Sequence, residues 1–156
     1  MPSNTTFSLP RMARFLIVCA LAWSLAAVPA AAQDGSGFVI IVHADNPTTS
    51  LEASKIQKMF LKKSKRWEDG EGVVAFDQDE KSPVRELFTE EIHGKSISAI
   101  KSYWQRMIFS GRDVPPEELA SDQEVVARVG GERGGIGYVS AGTALGNQVK
   151  AITVED

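Results

Sequence analysis

The chain has 156 residues, 43% hydrophobic and 24% charged, with a formal net charge of −3 and one cysteine. That length suits one domain and excludes a multidomain machine or a (β/α)₈ barrel. The charge balance excludes a disordered acidic tail and a strongly basic nucleic-acid binder.

Residues 1–32 contain no acidic residue. Arg11 and Arg14 precede an apolar run, residues 15–28, broken only by Ser24, and Ala30-Ala31-Ala32 follows. This is the layout of a signal peptide cleaved before Gln33. The run is short against the roughly 20 residues that span a bilayer. The expected domain is therefore residues 33–156, periplasmic or secreted, with no membrane span after cleavage. Cys19 leaves with the leader, as do both leader arginines, so the remainder is more acidic and has no thiol or disulfide chemistry. Its stability must come from a packed core.

After the flexible stretch 33–37, residues 38–42 (Phe-Val-Ile-Ile-Val) read as a strand buried on both faces. Asp45-Asn46-Pro47 ends it with turn chemistry. Ser50 is placed to cap a helix over residues 51–61, with Leu51, Ile56, Met59 and Phe60 on its apolar side. The cations from Lys62 to Arg66 read either as a solvated helix end or as an anion or lipid patch. Residues 73–76 form a second buried strand, and Asp77 to Lys81 a polar loop.

Ser82 at N-cap and Pro83 at N1 open a helix that runs to His93 and stops at Gly94. Ser96 caps another, reaching Phe109. A rigid loop, residues 113–116, leads to a helix opened by Ser121 and closed by Gly130-Gly131. Residues 136–139 and 149–154 are the last strands. Strands alternate with helices, so the expected fold is α/β, a mixed or mostly parallel sheet with helices on both faces.

Reactive groups are sparse. The two histidines, His43 and His93, end a strand and a helix, where a lone imidazole is usually structural. No nucleophile elbow, zinc motif or phosphate-cradling P-loop is present. Asp77, Asp79 and Glu80 lack the glycine and distal glutamate of an EF-hand. Neither enzyme activity, cofactor nor metal is expected. Trp67, Tyr103 and Trp104 read as core, and the glycines from Gly130 to Gly137 as a helix end and tight turn. The junction Ser82-Pro83-Val84-Arg85 offers two readings. It combines a helix N-terminus, a hydroxyl and a guanidinium at the end of a strand, which suits an anion. Alternatively it is a well-capped helix with Arg85 paired to a nearby acid.

The stretches FVIIVHADNPTTSLEASKIQKMFLKKSKRW, VVAFDQDEKSPVRELF, YWQRMIFSGR and GGIGYVSAGTALGNQVKAITV occur in that order. In this the chain resembles the periplasmic substrate-binding proteins of phosphate-type ABC transporters, which have the type II binding-protein fold. The resemblance implies one lobe of a fold that has two. It also implies a small oxyanion such as phosphate as ligand, with an ABC transporter, a second lobe or a dimer partner. The family's ligand loop follows the pattern Arg-x-x-x-Ser-Gly-Thr-Arg. Here Ser82 and Arg85 match it, Gln78 stands for the first arginine, Pro83 removes an N–H donor and Val84 removes a hydroxyl. Ser82, Arg85, Val84, Gln78 and Ser140 are the ligand-binding positions the resemblance implies. The alternative is a single-lobe protein–protein interaction module that has lost its small ligand.

Overall fold

The computed structural model describes residues 37–156; the expected leader, residues 1–32, lies outside the described residues. The strands are β1 (Phe38–His43), β2 (Ser50–Glu52), β3 (Val74–Gln78), β4 (Glu117–Leu119), β5 (Gly135–Ser140) and β6 (Val149–Glu155). The helices are α1 (Ala53–Phe60), α2 (Pro83–His93), α3 (Ile97–Phe109) and α4 (Asp122–Gly131). One mixed sheet runs β2-β6-β1-β5-β3-β4. β1 is antiparallel to β5 and β6, while β3 is parallel to β4 and β5, and β2 to β6.

The unbroken apolar sequence of β1 follows from its central position. Phe38, Ile40 and Val42 face a core shared with Ile56, Met59 and Phe60 of α1 and Val84, Phe88 and Ile92 of α2. Ile41 faces the other side, packing with Val125 and Val129 of α4 and with Phe76 and Val139. A strand covered on both faces needs no polar alternation. Phe88 stacks on Tyr138 with ring centroids 3.9 Å apart and lies 4.7 Å from Phe60, so aromatic rings tie both helices to β5. α3 makes a smaller cluster, in which Ile100 and Trp104 pack on Leu61 at the end of α1.

Several boundaries differ from the expected ones. The helix predicted over 51–61 begins at Ala53, because Ser50 and Leu51 pair with Thr153 and Val154 of β6. β3 continues through Asp77 and Gln78, which the sequence assigns to a loop, and both are buried. β4 was not expected at all. Ser96 and Ser121 do cap their helices, accepting from the N–H groups of Ala99 and Glu124.

At its far end α2 finishes on Gly94 at φ 59°, whose N–H bonds the Glu90 carbonyl at 3.0 Å. That left-handed turn favours glycine. Gln57 Nε2 of α1 donates to the carbonyls of Ile92 and His93 at 3.1 and 3.2 Å, satisfying the helix end. His93 is not a solvated cation on the helix dipole. Burial, then Arg85 and Lys95, push its imidazole down to about 4, so it sits neutral against Phe88. The glycines after α4 serve close packing. A Cβ on Gly134 would lie 1.8 Å from the Gly72 carbonyl oxygen, and the Gly134 carbonyl accepts the Trp67 indole N–H at 2.9 Å.

Candidate functional site

β3, β4 and β5 run parallel, so their C-terminal ends share one edge of the sheet. In open α/β sheets this edge is where ligands bind. β3 delivers Asp77 and Gln78, the start of α2 delivers Ser82 and Arg85, and the start of α4 delivers Asp122. β5 delivers Tyr138 and Ser140, with Thr143 just beyond.

Arg85 points inward and is only 3% exposed. Its guanidinium pairs with the buried Asp77 carboxylate and donates to the Gln78 carbonyl at 2.6 Å. Glu118 stands 3.8 Å away. Asp77 also accepts from the Tyr138 hydroxyl and, at 2.9 Å, from the Gln78 N–H. Burial raises the Asp77 carboxyl to about 6 against the pull of Arg85, Tyr138 and the Gln78 N–H. Burial and the Asp77 charge push the Tyr138 hydroxyl well up, so it stays a donor. The Arg85 charge is thus paired within the fold by Asp77.

A second carboxylate gathers the neutral donors. Asp122 Oδ1 accepts from Gln78 Nε2 at 2.7 Å and from the Ser140 N–H at 3.2 Å, and Oδ2 accepts from Thr143 Oγ1 at 3.1 Å. Burial works to raise the Asp122 carboxyl, but hydrogen bonds from Ser140, Gln78 and Thr143 outweigh it and hold the group below its usual range. Gln78 is itself fixed: its Oε1 accepts from Ser82 Oγ at 2.8 Å, and its Nε2 also donates to the Tyr138 carbonyl at 3.0 Å. Ser82 donates its hydroxyl to Gln78, and its oxygen accepts no helix N–H.

Of the sequence-predicted positions, Gln78 and Ser140 meet at Asp122, and Ser82 is tied to them through Gln78. Arg85 lies beneath them, directed at Asp77, and Val84 turns into the hydrophobic core. Sequence reasoning missed Asp77, Asp122, Tyr138 and Thr143 as members of this cluster. A carboxylate directly after the apolar run Val-Val-Ala-Phe was the available signal, since a strand that continues would bury it.

The other candidates resolve plainly. Trp67 and Trp104 are core residues, and the Tyr103 hydroxyl donates to the Leu61 carbonyl. Lys62 and Lys65 both reach Asp113, at 3.7 and 2.7 Å, and Arg66 donates to the Gly70 carbonyl. Among the described residues no group of three His, Cys, Asp or Glu side chains could hold a metal ion. No described helix is long and apolar enough to cross a membrane.

Residues 24–155 match the family model of the PBP superfamily domain. Curated proteins give no match. Solved structures with the same fold include a phosphate ABC transporter substrate-binding protein from Clostridium perfringens with bound phosphate (TM-score 0.60, 21% identity, 76% of this chain and 44% of that one). An ABC-type phosphate transport receptor from Vibrio cholerae gives TM-score 0.60 at 18% identity, covering 77% and 47%. PstS from Borrelia burgdorferi gives 0.54 at 13%, covering 77% and 47%. The chain spans less than half the length of these structures. With its mixed α/β sheet and its match over most of its length, the chain belongs to the PBP superfamily.

Proposed function

We propose that this chain is a single binding-protein lobe that does not capture a free oxyanion and serves instead as an interaction module, exported by its leader. The observation that carries the reading is the buried pairing of Arg85 with Asp77. An arginine that is 3% exposed and already neutralised has no charge to offer a ligand. Pro83 and Val84 remove a donor and a hydroxyl from the same loop. Ile108, Phe109 and Val114 are large apolar side chains left exposed.

A second reading keeps phosphate as the ligand, for transport with an ABC transporter. It is favoured by the gathering of Gln78, Ser82 and Ser140 at the strand ends and by the phosphate-bound relative. It requires Arg85 to leave Asp77, and a second lobe or partner to enclose the ion, since ligand sites bury most of their ligand's surface.

Thermal melting with phosphate and sulfate separates the two. The interaction reading expects an unchanged midpoint. A saturable rise of several degrees, as a ligand at about a hundred times its Kd gives through roughly 2.7 kcal/mol, overturns it in favour of the second. N-terminal sequencing of the exported protein checks the leader, with Gln33 expected first.

A further inference from the structure

Asp122 is the first residue of α4, yet it is not that helix's cap. The capping bond comes from Ser121, whose Oγ accepts the Glu124 N–H at 3.2 Å. The Asp122 carboxylate turns instead toward three other segments: the end of β3 through Gln78, the end of β5 through Ser140, and the following loop through Thr143. Among the described residues no lysine or arginine pairs with it. One carboxylate is thus held by neutral donors alone. The donor of the shortest of these bonds, the Gln78 amide, is locked in orientation by Ser82 and by the Tyr138 carbonyl. Preorganised neutral donors around a half-buried carboxylate are the arrangement of an anion-binding site.

We propose that Gln78, Ser140 and Thr143 form a subsite for a carboxylate-sized anion, and that the chain fills it with its own Asp122. The side chain acts as a tethered ligand. Its effective concentration is that of an intramolecular group, so a free anion competes poorly. The inference rests on the reading that the wild-type chain takes up no free oxyanion, and it says why: the donors are occupied as well as the charge.

Asp122→Ala removes the tethered carboxylate and leaves the donors facing a space of its size. Formate, acetate and phosphate are titrated against the full chain at constant ionic strength, with chloride as the control, and melting is followed. The expected result is a lower midpoint for Asp122→Ala that formate or acetate raises saturably by several degrees, with no such rise in the wild type. Should Asp122→Ala be unfolded without anion, the expected result is recovery of the native circular dichroism signal on adding formate.

The added response is expected to vanish in the double variant Asp122→Ala with Gln78→Ala. Asp122→Asn, which fills the space, is expected to show none. A carboxylate that neither raises the midpoint nor restores the fold of Asp122→Ala overturns the tethered-ligand proposal and leaves the interaction reading intact. So does an equal response in the double variant or in Asp122→Asn. A phosphate response in the wild type instead overturns the interaction reading.

Discussion

Arg85 and Asp77 share one buried position, and each is tolerable there only because of the other. Removing one partner of such a pair strands a charge, at a cost of about 3–5 kcal/mol. Arg85→Ala is therefore expected to lower the urea midpoint strongly, with Asp77→Asn in the same chain recovering part of the loss. The ionisable groups nearby set the pH response. Asp77 rises from its ordinary 3.8 to about 6, so its contribution to stability is full below 3.8 and is lost as pH rises through about 6. His93 falls from 6.5 to about 4, so its contribution is full above 6.5 and is lost as pH falls through about 4. The two oppose each other. His93→Gln should gain on the wild type as pH drops from 6.5 to 4, by roughly 3 kcal/mol at most. Denaturant melts at the two ends of that range check it; an equal pH dependence in both proteins contradicts the assignment. Arg85 was legible as a residue with two roles, but the choice between them was not. It depends on whether Asp77 ends a strand or opens a loop, and the sequence Phe76-Asp77-Gln78 reads either way.

At the level of elements, the helices and central strands were legible because their own residues specify them. Ser82-Pro83 and Gly94 bracket α2, Ser96 and Ser121 cap α3 and α4, and a β-branched run marks β1. β2 and β4 were not legible. Each has three residues, two of them polar, and lies at a sheet edge where pairing to β6 or β3 decides its conformation. Local pattern carries no record of a partner that is distant in sequence. The glycines before and within β5 record close packing more than turn chemistry. A Cβ on Gly137 would lie 2.6 Å from Val125 Cγ1 and 3.0 Å from Val129 Cγ2, both on α4. Gly137→Ala must push the helix off the sheet, and about 1–3 kcal/mol of destabilisation is expected from such overpacking. A variant as stable as the wild type in urea would mean that α4 packs less closely than described.

For the whole molecule, length pointed to one domain and the alternation of strands and helices to an α/β fold, and the resemblance to a binding-protein lobe agrees with the family match over residues 24–155. Under the proposed interaction role, what the lobe does depends on its surface. Phe109 is 90% exposed at the end of α3, beside Ile108 at 51%, with Val114 at 58% in the loop that follows. Phe109→Ser is expected to leave stability within about 0.5 kcal/mol of wild type while weakening retention on a hydrophobic column; a large loss of stability would show that this ring is packed after all. The proposed function depends on the state of Arg85, and its guanidinium resonances in a ¹H–¹⁵N spectrum report on that state directly. With Asp77 as a permanent partner, those resonances should be protected from exchange and stay in place through a phosphate titration; a saturable shift, with loss of the Asp77 contact, would contradict the account and make Arg85 a ligand-binding residue.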